Sequence, residues 1–173
     1  MVYKIGEKQK VSRVLLLDRD NTIVFDEFGY LHEPSMLKVL PKVVEGLTFA
    51  KSLGYGIAIV TNQSGIGRGY FTVHDMELFH KSLLEVISPK DELVQLIIAC
   101  PHAPDVLGAP VCSCRKPNTQ MIDEVLFYFD VEPDGAILIG DKDSDLLAAE
   151  RCGVRGVNIN QYSNFLDCCL DVL

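Results

Sequence analysis

The stretch Val14-Leu15-Leu16-Leu17-Asp18-Arg19-Asp20-Asn21-Thr22 constrains this chain more than any other. Its apolar run is too short for a helix, and an unbroken apolar run is how a parallel strand covered on both faces reads. The strand expected over residues 11–17 therefore ends on Asp18 and Asp20, where open α/β sheets bind their ligands. Two carboxylates held close together repel, and either a shared proton or a cation relieves them. A hard divalent ion such as Mg²⁺, held by one or two carboxylates and a substrate phosphate, suits that demand. The plainer reading is an Asp-rich turn after a strand.

The rest of the chain repeats the pattern. Strands are expected at 56–60, 96–99, 136–140 and 156–159. They alternate with helices at 41–51, from Thr72 (with Asp75 as its capping-box partner) to Ile87, at 117–129, and from Asp143 or Ser144 to Gly153. Gly54 and Gly153 stand where helices end. The first ten residues read as a loosely held lead-in, and 25–38 as a loop with Gly29, His32 and Pro34 at its turns. Strands alternating with helices imply crossovers and a mainly parallel sheet, so the polar tips after the first, second and fourth strands fall on one edge.

At 173 residues the chain suits one domain, and 48% hydrophobic content excludes a disordered chain. A formal net charge of −8 argues against nucleic acid or an anionic membrane as partner. No apolar run has the ~18–20 residues of a membrane span, and the polar start is unlike a secretory signal. The cytoplasm is the expected compartment. In that reducing setting clustered cysteines more often bind metal than pair.

The second tip, Thr61-Asn62-Gln63-Ser64-Gly65-Ile66-Gly67-Arg68-Gly69, offers a hydroxyl, amides and glycine-turn N–H groups suited to phosphate oxygens, though many β-to-helix loops look similar. Arg115 and Lys116 supply a guanidinium fork and a compact ammonium for phosphates; alone they read as a solvated face. The fourth tip, Gly140-Asp141-Lys142-Asp143-Ser144-Asp145, adds a metal-binding carboxylate at Asp141, with Lys142 beside it. Asp143 and Asp145 read there as helix-cap residues. Cys100, His102, Cys112 and Cys114 give three thiols and an imidazole in paired spacing, the donor set of a closed tetrahedral Zn²⁺ site. A disulfide or chance clustering is the competing reading. Cys152, Cys168 and Cys169 fit no such pattern and read as core or tail thiols.

In chain order the tips give Asp-x-Asp, Thr, Lys and Gly-Asp-x-x-x-Asp, which resembles the haloacid dehalogenase superfamily of phosphohydrolases over about residues 11–159. The resemblance implies a three-layer, Rossmann-like α/β fold with no large cap domain and a zinc-stabilised loop at 100–114. It implies Asp18 as nucleophile and Asp20 as general acid/base. Mg²⁺ would bind the side chains of Asp18 and Asp141 and the carbonyl of Asp20, while Thr61 and Lys116 hold the phosphoryl oxygens. Asn62, Gln63, Ser64, Arg115 and Lys142 would line the substrate.

Leu17-Asp18-Arg19-Asp20, Gly29-Tyr30-Leu31-His32-Glu33 and Cys112-Ser113-Cys114-Arg115-Lys116-Pro117 are similar to one branch of that superfamily. It contains the D-glycero-D-manno-heptose 1,7-bisphosphate 7-phosphatases and the histidinol-phosphate phosphatases. The segments 29–33 and 64–72 look more like the heptose branch. A small phosphorylated sugar, a monomeric enzyme and a role in nucleotide-activated heptose synthesis for bacterial surface polysaccharide follow from that resemblance. The branch usually has Gly where this chain has Asn21, and a Pro-Gly pair where it has Asn118-Thr119. These departures bear on substrate rather than on hydrolytic chemistry.

Overall fold

The computed structural model describes residues 2–4, 10–89 and 93–173. Strands β1 (Val2–Lys4), β2 (Arg13–Leu17), β3 (Tyr55–Asn62), β4 (Leu96–Cys100), β5 (Ala136–Gly140) and β6 (Arg155–Asn158) form one sheet in the order β1-β4-β3-β2-β5-β6. β2 to β6 run parallel, and β1 caps the edge antiparallel to β4.

Because side chains alternate across a strand, each apolar run divides between two helical layers. Leu15, Leu17, Ile57, Ile59, Ile97, Ile137 and Ile139 pack on one face against α1 (Val43–Ser52), α3 (Val73–Ile87) and α6 (Phe165–Val172). Val14, Leu16, Ala58, Val60, Ile98 and Leu138 pack on the other against α4 (Gln120–Phe129) and α5 (Asp143–Arg151). This is the three-layer α/β arrangement expected from the sequence, with no large cap among the described residues. No helix among them is long and apolar enough to cross a membrane.

The connections place the site. From β2 the chain moves outward through α1 to β3 and through α3 to β4. It then crosses back through α4 to β5, on the other side of β2. The reversal falls between β2 and β5, the crevice where open α/β sheets hold ligands.

Several local expectations are corrected. The lead-in was expected to be loose, yet Val2–Lys4 pairs with Leu96–Ile98; residues 1 and 5–9 lie outside the described residues. β2 begins at Arg13 rather than Val11. α1 begins at Val43 rather than Pro41, because Lys42 takes a left-handed backbone (φ 64°) that a helix cannot include. α4 begins at Gln120 rather than Pro117. The Lys116 N–H donates to Asn62 Oδ1 and Asn118 Nδ2 to the Cys112 carbonyl, so the chain turns through these residues before it coils. Asp143 and Ser144 lie inside α5, whose cap position is Lys142. The short α2 (Ser64–Gly67) and the terminal α6 were not anticipated. The capping box at Thr72 and Asp75 is present, with both reciprocal bonds formed.

Candidate active site

Asp18 follows the last residue of β2, and its N–H donates to the Ile139 carbonyl of β5 at 2.9 Å. Asp141 follows β5 directly, so neighbouring parallel strands deliver two carboxylates to one place. Asp145, one turn into α5, joins them, and one carboxylate oxygen from each of the three lies within 4.8 Å of the others. Gly140 makes that approach possible: a Cβ there would stand 2.5 Å from Asp145 Oδ2.

Lys116 sits among these acids, only 2% exposed. Its ammonium donates to Asp18 Oδ1, pairs with Asp145 Oδ1 and donates to the Val60 carbonyl, each at 2.7 Å, which uses all its protons. Burial alone would draw the Lys116 pKa down; the Asp18 and Asp145 carboxylates outweigh it and leave it raised. Burial also pushes the Asp141 carboxyl up to about 6, opposed by Lys142 and reinforced by Asp18 and Asp145. Asp141 Oδ1 is buried without a hydrogen-bond partner. A buried, unpartnered carboxylate oxygen beside two more carboxylates is the donor set a divalent cation satisfies, so these residues fit Mg²⁺.

Asp20 stands on the other side of Asp18. Arg19 Nε donates to its Oδ1 at 2.8 Å, and Gln63 Nε2 donates to its Oδ2 at 2.9 Å. Burial raises the Asp20 pKa, Arg19 opposes that, and Asp18 adds to it. An isolated backbone bridge between Asp20 and Val24 closes the start of the following loop.

Thr61 is fully buried at the end of β3, and its hydroxyl accepts from Gln63 Nε2 at 2.9 Å. Asn62 braces Lys116 by exchanging two 3.1 Å hydrogen bonds with its backbone. A cavity of ≈ 440 Å³ opens above this floor, and Asp20, Asn62, Gln63, Ser64, Arg115, Lys116 and Lys142 all line it. Asp26, Gly29 and Tyr30 reach it from the 25–33 loop and Gly108 from the zinc-type loop, the loops the family resemblance implied would wall the substrate.

Cys100, His102, Cys112 and Cys114 converge as expected from their spacing. Their contacts run from 3.1 Å (Cys114 Sγ to Cys100 Sγ) to 3.6 Å (Cys100 Sγ to Cys112 Sγ and to His102 Nδ1). Those separations exceed the ~2.05 Å of a disulfide bond and approach the edge of about 3.8 Å implied by a tetrahedron of Zn–S bonds. The donor set therefore fits Zn²⁺. The 101–115 segment contains no helix or strand, and it is tied to the neighbouring loop where Gly67 N–H donates to the Pro101 carbonyl. A Cβ at Gly67 would meet Ala103 N at 2.7 Å, so glycine sets this approach. Of the remaining thiols, Cys168 and Cys169 are buried in α6 and Cys152 is partly exposed at the end of α5.

Asp145, Arg19 and its neighbour His80 escaped the sequence reading. Asp145 looked like a cap and does accept the Lys142 N–H, but it is also a buried partner of Lys116; its spacing in Gly-Asp-x-x-x-Asp was the available signal. Arg19 was passed over between two acids, yet it is fully buried.

Comparisons with known proteins show which family this chain is similar to. Residues 113–161 match the HAD-hydrolase-like family model. The D-glycero-alpha-D-manno-heptose-1,7-bisphosphate 7-phosphatase of Photorhabdus laumondii is 35% identical over 145 residues, covering 82% of this chain and 79% of that one. The corresponding beta-anomer phosphatase of Helicobacter pylori is 35% identical over 156 residues, covering 90% and 83%. The crystal structure of D,D-heptose 1,7-bisphosphate phosphatase from B. bronchiseptica, complexed with magnesium and phosphate, superposes with a TM-score of 0.82 at 23% identity, over 92% of this chain and 97% of that one.

Proposed function

The chain belongs to the HAD-like phosphatase family of the D-glycero-D-manno-heptose-1,7-bisphosphate 7-phosphatases, and on that premise we propose that it removes the 7-phosphate of heptose 1,7-bisphosphate through an aspartyl-phosphate on Asp18. The observation that carries this reading is the convergence of Asp18, Asp141 and Asp145, two of them paired with the buried Lys116 ammonium that also lines the cavity.

An Asp18 carboxylate oxygen attacks phosphorus as the bond to the sugar oxygen breaks. Asp20 gives that oxygen a proton, then takes one from the water that attacks the aspartyl-phosphate. The Thr61 hydroxyl holds one phosphoryl oxygen, and the Lys116 ammonium, whose three protons go to Asp18, Asp145 and the Val60 carbonyl in the free site, turns one of them to a second as substrate enters; phosphoryl transfer needs charge neutralised there. Asp18, Asp141 and the Asp20 carbonyl would hold Mg²⁺, which would supply further neutralisation of that charge. Cys100, His102, Cys112 and Cys114 would hold a structural Zn²⁺ that anchors the segment leading directly into Arg115 and Lys116.

The cations support a bisphosphate. Arg115 and Lys142 line the cavity without the full carboxylate pairing of Lys116, leaving them for a second phosphate, with Asn62, Gln63 and Ser64 near the sugar. Histidinol phosphate carries one phosphate and an ammonium that these cations would repel. In a cell the reaction would serve nucleotide-activated heptose synthesis in the cytoplasm. Competition between heptose 1,7-bisphosphate and histidinol phosphate tests the assignment. A kcat/KM ratio of about a hundredfold or more for the bisphosphate is expected, since its second phosphate can form charge-assisted hydrogen bonds that histidinol phosphate lacks; preference for histidinol phosphate would overturn it.

A further inference from the structure

Arg19 is a fully buried guanidinium directly beneath the proposed acid/base, and each of its nitrogens has an acceptor. Nε donates to Asp20 Oδ1 at 2.8 Å. Nη2, with its two protons, faces Asp20 Oδ2 at 3.1 Å, the Leu31 carbonyl at 2.8 Å and Gln63 Oε1 at 3.2 Å. Nη1 lies 3.2 Å from His80 Nε2 on α3. The guanidinium carbon stands 4.7 Å from the centre of the Phe79 ring.

A buried arginine is costly unless its donors are matched and its charge paired. Here the pairing is a side-on fork to one carboxylate, which fixes that carboxylate's plane as a single contact cannot. Facing a guanidinium, His80 must offer a lone pair from Nε2 and so carry its proton on Nδ1, which has no partner. A solvated arginine would need neither the imidazole nor the carbonyl.

We propose that Arg19, braced by His80, is the positioning residue that holds the Asp20 carboxyl in the orientation proton transfer requires. The inference rests on the aspartyl-phosphate reading above. Nη2 also joins Asp20 to Leu31, next to Tyr30 on the wall of the cavity, so one side chain fixes both the acid/base and the far end of the 25–33 loop.

The chemistry supplies a test that fold damage would not mimic. A sugar alkoxide leaves only with a proton from Asp20, whereas the weakly basic phenolate of p-nitrophenyl phosphate leaves without one. Hydrolysis of the aspartyl-phosphate needs Asp20 as base for either ester. Arg19→Lys keeps the charge but loses the fork. It should lower kcat on heptose 1,7-bisphosphate about a hundredfold, the usual reach of acid–base assistance, with KM little changed. On p-nitrophenyl phosphate it should release one equivalent of nitrophenolate per enzyme at near wild-type rate, then turn over slowly.

His80→Leu removes the brace and should show the same signature more weakly. His80→Gln, whose side-chain oxygen replaces the lone pair, should restore near wild-type kinetics. If Arg19→Lys does not fold, the two His80 variants decide. Equal loss on both esters without a burst, or a His80→Leu enzyme matching wild type, would overturn the inference. Asp18→Asn run alongside separates the two claims: turnover by that variant defeats the aspartyl-phosphate reading itself, whereas an inert Asp18→Asn beside a burst-free Arg19→Lys defeats only the role of Arg19.

Discussion

The two metal-type clusters are built in opposite ways. Asp18 and Asp141 project from neighbouring strands of the buried sheet, and Asp145 from the first turn of a packed helix. Hydrophobic burial on both faces of that sheet sets their positions before any ion arrives. Cys100 ends a strand, but His102, Cys112 and Cys114 sit in a segment with no helix or strand, whose tip exposes Val106 and Leu107 to solvent. Local hydrogen bonds from the Leu107 and Ala109 N–H groups to Asp105 Oδ1 shape that tip without a core beneath it. The carboxylate cluster is thus a product of the fold, whereas three of the four donors of the thiol cluster stand on a segment with no helix or strand. Each should respond differently to losing a ligand.

The largest expected effect falls on the first cluster. Asp18→Asn should lower turnover by on the order of a thousandfold or more, as removal of a nucleophile does, while the melting temperature moves by only a few degrees. Lys116 keeps Asp145 and the Val60 carbonyl, and one of three crowded carboxylates is neutralised. Kinetics paired with calorimetry check this; a protein that unfolds on this substitution would show that the cluster depends on its own charges.

The second effect should be smaller in rate but visible in structure. Stripping the thiol cluster with a zinc chelator should expose residues 103–111 to proteolysis and lower kcat/KM, because Arg115 and Lys116 lose their anchor. The helices, held by their packing on the sheet, should keep their circular dichroism, and added Zn²⁺ should restore both properties. Cooperative unfolding of the whole chain on chelation would contradict the contrast.

The same contrast explains what the sequence made legible. Apolar runs ending in Asp18, Thr61 and Asp141 announced both the sheet and the edge where those residues meet, because strand period and right-handed crossovers leave few alternatives. Paired spacing announced the thiol cluster without any knowledge of the fold. Arg19 and His80 were invisible for a physical reason. Both are polar residues made useful by burial, and burial of a polar side chain depends on tertiary partners 61 positions apart, which no local pattern encodes. Asp145 was misjudged likewise: its bond to the Lys142 N–H is local and readable, its bond to Lys116 is not. Pro117 looked like a helix start because proline suits that position, but contacts with Asn62 and Cys112 outcompeted the local preference.

The smallest expected effect concerns protons. Burial and the neighbouring Asp18 and Asp145 push the Asp141 carboxyl up to about 6 against the pull of Lys142. Below that pH the carboxyl carries a proton that a cation must displace; above it the carboxylate is already charged. Apparent Mg²⁺ affinity should therefore be flat above about pH 7 and weaken with acid below pH 6, by at most about tenfold per pH unit for one displaced proton. Thiols titrate near 8.5 in water, and burial pushes Cys100 higher still, so proton release on Zn²⁺ binding should extend well above the carboxylate window. Calorimetric titration of each ion in buffers of different ionisation enthalpy, from pH 5 to 8, measures both releases. Asp141→Asn should weaken Mg²⁺ binding and flatten its pH dependence, leaving the Zn²⁺ profile untouched. An unchanged acid slope in that variant would move the linked proton to Asp18 or Asp145, and the preformed cluster would then be held by a different carboxylate than its unpartnered oxygen suggests.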